Sequence, residues 1–131
     1  MTLFDAYDHL LTAVEALFTE TPEEGDPVCQ VGIQDNLVEK PARYPTVVVE
    51  LDGSRLSAHG GGSQYTGEHD FSLWVLYAWD GSFRTSREAV AGIVDKLLSI
   101  PRFYAGEAVE YGVDTVHGVR CILAKIPGKV V

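Results

Sequence analysis

The sequence predicts an α+β domain: a mostly antiparallel sheet of four to five strands with two helices packed on one face, in the order α-β-β-β-α-β-β. Three observations carry this. Two segments repeat apolar residues at the helical period, one near the start and one from about 86 to 99. Glu68 to Trp79 alternates at the period of a strand. The intervening apolar runs are short, β-branched and bounded by Gly, Pro or Asp, as strands are. Runs of strands separated by single helices, rather than strict β-α alternation, point to α+β instead of a parallel α/β sheet.

The first helix is the clearest element. Leu3, Phe4, Tyr7, Leu10, Leu11, Val14, Leu17 and Phe18 share one arc of a helical wheel, with Asp5, Asp8, Thr12 and Glu15 opposite. Thr2 with Asp5 three residues later forms a capping-box start, and the helix is expected to stop near Thr19. Thr21 to Pro27 is an acidic, turn-rich loop. Val28 to Ile33 is a short strand candidate, followed by a polar connection to Arg43. Pro45 keeps Tyr44 extended, and Thr46 to Leu51 reads as a β-branched strand ended by a turn at Asp52-Gly53.

Residues 54–67 contain Gly60-Gly61-Gly62-Ser63, which has little reason to be rigid, so a mobile arm is expected there. In the strand Glu68 to Trp79, His69, Phe71, Leu73, Val75, Tyr77 and Trp79 take the core face. Asp70, Ser72, Trp74, Leu76 and Ala78 take the other. The second helix is expected from about Ser86, capped by Thr85 with Glu88, to Ser99, where Pro101 stops it. Val109 to Val116 and Val119 to Ile126 form a hairpin turning at His117-Gly118, and the tail from Pro127 is either loose or paired with a partner.

The chain has 131 residues, enough for one domain over 1–131 that buries about two thirds of its unfolded surface. At 46% hydrophobic and 22% charged it is neither disordered nor a coiled coil. No apolar run reaches membrane-spanning length, and no basic flank and apolar core marks a secretory signal, so a cytoplasmic site of folding is expected. Ten basic residues against nineteen acidic ones give a net charge of −9, which argues against a nucleic-acid-binding surface and against docking on anionic membranes. Cys29 and Cys121 sit in apolar runs and read as small core residues.

No motif supports catalysis, a cofactor or a metal. His59-Gly-Gly-Gly62 has the form of an oxyanion-hole loop, but no Gly-x-Ser-x-Gly elbow accompanies it. Glu68-His69-Asp70 are neighbours on a strand and point to alternate faces, so they do not converge on an ion. No histidine or cysteine spacing matches a zinc site, and no phosphate-binding glycine loop is present.

The polar and aromatic residues that remain read as contacts. Two helices cover only one face of the sheet. The other carries Trp74 and Leu76, with Val48, Ile122 and Ala124 as further candidates, and such an apolar face suggests a protein partner or a covering loop. Arg84 and Arg87 flank the start of the second helix, either as contacts to a neighbouring subunit or as a solvated terminus. Trp79 is an interface anchor or a core cap. Arg55 and Tyr65 border the arm and are candidates to order on contact with a partner.

His69-Asp70-Phe71-Ser72-Leu73-Trp74-Val75, ending in Ala78-Trp79-Asp80-Gly81 and leading into Ser86-Arg87-Glu88-Ala89-Val90, resembles the tail terminator proteins of long-tailed bacteriophages. These are also called tail completion or minor tail protein U-like proteins. Tyr44-Pro45-Thr46-Val47-Val48-Val49 and Gly118-Val119-Arg120-Cys121-Ile122 sit where that family has strands. The resemblance covers nearly the whole chain, in layout more than in fixed residues. It implies a virion structural protein, assembled in the host cytoplasm, that forms a homo-oligomeric ring, usually a hexamer, on the head-proximal end of the tail tube. The ring stops tube polymerisation and joins the head–tail connector protein. It implies binding to the tail tube protein, no enzymatic activity and no cofactor. DNA would pass through the lumen without specific binding, past a negative wall for which Glu23, Glu24 and Asp26 are the candidates. Another neck protein (connector or stopper) and an acidic protein-binding module are the alternatives.

Overall fold

The computed structural model describes residues 2–18, 30–32, 44–58, 65–79 and 81–131. They form an α+β fold of two helices and a mostly antiparallel sheet. Helix α1 spans Leu3–Leu17 and helix α2 Phe83–Leu97. The strands are β1 (Gln30–Gly32), β2 (Thr46–Ala58), β3 (Tyr65–Ala78), β4 (Phe103–Ala105), β5 (Glu110–Val116) and β6 (Val119–Val130). The sheet runs β1-β2-β3-β6, with β5 and β4 both paired along the outer side of β6; β1 joins in parallel and all other pairs are antiparallel.

Helix α1 begins as its sequence dictates: Thr2 Oγ1 accepts from the Asp5 N–H, and the Thr2 N–H donates to the Asp5 carboxylate. Two orphan amides are satisfied at once, and the helix ends at Leu17 with Phe18 as its cap. Ala6, Leu10, Val14 and Phe18 enter the core beside Val47, Val49, Phe71, Leu73 and Val75 of the central strands. From α2, Val90, Ile93, Val94 and Leu97 complete it.

Five expectations are corrected. The sheet has six strands, because the three-residue β4 pairs with the end of β6, which adds one strand to the expected order. Strand β2 does not turn at Asp52-Gly53. A register irregularity between Leu51 and Gly53 absorbs the extra residue, and pairing with β3 continues to Ala58↔Tyr65. Helix α2 starts at Phe83, since Gly81 takes φ +74 and the Ser82 side chain accepts from the Thr85 N–H; Ser82, not Thr85, is the cap. Ile122 and Ala124 lie on the helix side of the sheet, because they pair with Tyr77 and Val75, and directly opposed residues share a face. The tail is not loose: Val130 is fully buried, pairs with His69 and Phe103, and Gly106 N–H donates to the Pro127 carbonyl at 2.7 Å.

The hairpin turn is as expected. His117 (φ 53) and Gly118 (φ 77) are both left-handed, the signature of the two-residue turn that matches strand twist. Pairing of β3 with β6 ends at His69↔Val130, whereas β2 and β3 pair four residues further on the β3 side. Arg55↔Glu68, Leu56↔Gly67, Ser57↔Thr66 and Ala58↔Tyr65 therefore form a two-stranded ribbon beyond the end of β6. The candidate contacts Arg55 and Tyr65 occupy this ribbon. The expected mobile arm falls partly on these paired strands; its glycine run lies outside the described residues, as do His59, Cys29, Glu23, Glu24 and Asp26.

Candidate interaction surface

The face of the sheet away from the helices was the expected contact surface, and it is largely covered. Thr46, Val48, Ser72, Leu76 and Cys121 are all buried there. Leu76 is 2% exposed, so it offers no surface to a partner. Trp74 is half-buried and tethered on both sides. Its indole N–H donates to Glu50 Oε1 at 3.2 Å, and the Lys125 ammonium sits 5.1 Å from its ring. Ser72 Oγ donates to Asp52, and Lys129 pairs with Glu68 at 3.0 Å. Burial, with Asp52 alongside, pushes the Glu50 carboxyl above the usual carboxylate range, although the Trp74 N–H pulls the other way.

At one end of this face the Tyr44 hydroxyl meets His117 Nδ1 at 3.2 Å, near Cys121. Burial pushes the Cys121 thiol up, the reverse of what an activated nucleophile requires. Burial, and then the neighbouring Cys121, raises Tyr44 as well. In Glu68-His69-Asp70, His69 is buried with Nδ1 2.8 Å from Ser54 Oγ, while Glu68 turns to Lys129. Among the described residues no group of three or more His, Cys, Asp or Glu is arranged to hold a metal ion.

The open surface is instead at the sheet edge, between α2 and β5. A groove of about 440 Å³ is lined by Phe83, Arg87, Val90, Ala91, Tyr111, Gly112, Val113 and Ile122. Among the described residues strand β5 has no strand outside it, and it alternates. Tyr111 and Val113 pair with Ala124 and Ile122 on the helix side, while Glu110 and Asp114 pair with Lys125 and Cys121 on the other. Helix α2 covers Ile122 but stops short of the outer strand, leaving Tyr111 60% exposed and Phe83 41% exposed.

Arginines frame this groove. The Arg87 guanidinium lies 6.0 Å from the Phe83 ring, and that of Arg120 lies 4.4 Å above Trp79. Trp79 and Phe83 meet at 5.1 Å in a tilted pair, and the Trp79 N–H is held by the Gly81 carbonyl at 3.2 Å. Arg84 pairs with Glu88 one turn along. The structure thus links Trp79 and Arg87 through Phe83, leaves Arg84 paired with Glu88, and adds Phe83, Tyr111, Val113 and Arg120, which sequence reasoning did not select. Trp, Tyr and Arg are the residue types that dominate binding energy at protein interfaces.

A second exposed apolar feature lies on α1. Phe4 is 75% exposed, the most of any large apolar side chain among the described residues. The helical wheel places it on the core arc, but it lies at the edge of that arc beside Asp8 and Glu15 and looks outward. No protein-family model and no curated protein matches this sequence.

Proposed function

We propose that this chain is a tail terminator of a long-tailed bacteriophage. Copies assemble as a ring, a hexamer by the resemblance, on the head-proximal end of the tail tube. The ring covers the exposed interface of the last tube layer, stops polymerisation and presents a different surface to the head–tail connector protein. The mechanism is binding, not catalysis. The observation that carries the reading is the chain layout: an amphipathic helix, three strands, a second helix and, after the short β4, a closing hairpin, which is in keeping with the plan the resemblance implies. The aromatic and arginine surface at the α2–β5 edge supports it, as a small domain that works by contact needs such a surface. A net charge of −9 suits a channel through which DNA slides without adhering.

The test is light scattering with size-exclusion chromatography over a concentration series, followed by negative-stain imaging of the protein mixed with tail tubes. Density capping one end of each tube is the expected result. Protein that binds only the connector, or sits elsewhere in the neck, would replace the terminator reading with a connector or stopper. Protein that ignores tubes and neck components alike would leave an acidic protein-binding module.

A further inference from the structure

We propose that the α2–β5 groove is the socket for a second copy of this chain. Phe4 of the incoming copy seats between Phe83 and Tyr111, and Asp5 and Asp8 of that copy lie against Arg84, Arg87 and Arg120. The inference deepens the ring reading by naming the subunit contact, and it rests on that reading only for closure of the ring.

Three observations commit the groove to this occupant. The first is matched chemistry. Buried Val90 and Ile122 floor the groove, exposed Ala91 and Val113 extend its apolar walls, and Phe83 and Tyr111 form an aromatic lip; the most exposed large apolar side chain among the described residues is likewise a phenylalanine. The second is charge. Helix α1 carries Asp5, Asp8 and Glu15, all exposed, and no Lys or Arg. Arg87 lines the groove beside Phe83, and Arg120 lies over Trp79, which packs on Phe83; Arg84, three residues before Arg87 on α2, is paired with Glu88. Asp8 stands one helical turn from Phe4, so an apolar knob and a carboxylate present themselves on one line. Of the acids nearby, Glu88 is taken up by Arg84, and Glu110 and Asp114 hold the strand positions facing the other side of the sheet, which leaves Arg87 and Arg120 to meet an incoming carboxylate.

The third observation is that a chain cannot fill its own groove. Tyr7, one turn from Phe4, touches Phe71 with ring centroids 6.3 Å apart, whereas the groove is floored by Ile122, the pairing partner of Tyr77. Phe71 and Tyr77 are six residues apart on β3, roughly 20 Å along the strand. Knob and socket are therefore separate patches of the surface. A contact between two different patches of identical chains is head-to-tail. It repeats from copy to copy and closes into a ring when the rotation between neighbours allows.

The experiment is sedimentation and light scattering of the purified chain and three variants over a concentration series at low and high salt. Phe4→Ala should weaken self-association by roughly thirtyfold or more, the size of a hot-spot loss. Asp8→Arg and Arg87→Glu should each do so too, and the double variant carrying both should regain association, because every head-to-tail contact then holds the reversed pair. Both charge positions are exposed, and circular dichroism checks that each variant is folded. Wild-type protein that stays monomeric overturns the self-docking, as do variants that associate like the wild type or a double variant that is not rescued. Tube-end imaging reports on the ring reading separately: capping with no effect of Phe4→Ala would keep the terminator and discard this contact. Loss of capping together with intact, Phe4-dependent self-association would do the reverse.

Discussion

Two surfaces of this sheet are rich in aromatic and apolar residues, and they differ in what happens to those residues. On the face away from the helices, Trp74 is held between Glu50 and Lys125, while Val48, Leu76 and Cys121 are buried. At the β5 edge, Phe83 and Tyr111 are open, and the arginines beside them lie on aromatic faces. The first surface is buried within the chain and the second is exposed. Apolar content alone therefore does not identify a contact surface. What distinguishes one is an apolar side chain whose polar neighbours are left with capacity for something else.

The largest effect should separate the two surfaces outright. Leu76→Glu places a charge where no water reaches, and we expect a loss above about 4 kcal/mol or no folded protein. Phe83→Glu should cost only about 1 kcal/mol, from its ring contact with Trp79, yet abolish assembly. Chemical denaturation alongside light scattering reads both; equal destabilisation by the two variants would erase the distinction. Next in size, Leu97→Ala removes a fully buried side chain beneath α2, at about 2–5 kcal/mol. If that variant also loses assembly while still folded, the groove depends on the exact seating of α2 and not only on the residues that line it.

A smaller effect belongs to Trp74→Phe. The ring's packing is kept and its bond to Glu50 is lost, which should cost about 1 kcal/mol with assembly unchanged. The smallest concerns Glu50 itself. Its acid is weakened by burial, so the folded chain holds that proton more tightly than the unfolded one. Its contribution to stability is then greatest below the ordinary glutamate range and falls as pH rises through the raised value. Glu50→Gln keeps an oxygen for the Trp74 N–H and should flatten that part of the stability profile, measured by urea unfolding from acidic to neutral pH. A profile of unchanged slope would mean that the carboxylate is solvated despite its position.

Local chemistry was legible where one signal governed. The Thr2–Asp5 box, the alternation of β3 and the His117-Gly118 turn each rest on a few neighbouring residues, and each stands in the structure. Competing signals were harder. Ser82 and Thr85 are both able to cap, and only the left-handed Gly81 decides between them. Asp52-Gly53 has the chemistry of a turn and also that of a bulge, and twelve cross-strand pairs with β3 settle it as the latter. Strand β4 is three residues long, too short to show a period.

The groove was missed for a different reason. Phe83 lies before the expected start of α2, and Tyr111 and Val113 look like any inward residues of an alternating strand. That α2 fails to reach over the outermost strand is a property of tertiary packing. A signal was nonetheless present, in two large inward residues on a strand whose own hairpin places it at the sheet's margin.

The ribbon formed where β2 and β3 outrun β6 has a consequence in time. Among the described residues its strands pair only with each other, and an isolated pair of strands is at best marginally stable in water. Amide hydrogens on β3 should therefore exchange in two classes, with the boundary near His69. Those from Phe71 to Leu76, flanked on both sides by strands, wait for global unfolding; those from Thr66 to Glu68 escape by local opening. If the ribbon grips a tube or a neighbouring copy, the second class should slow to the rate of the first on assembly, and hydrogen exchange would record the moment at which each subunit engages.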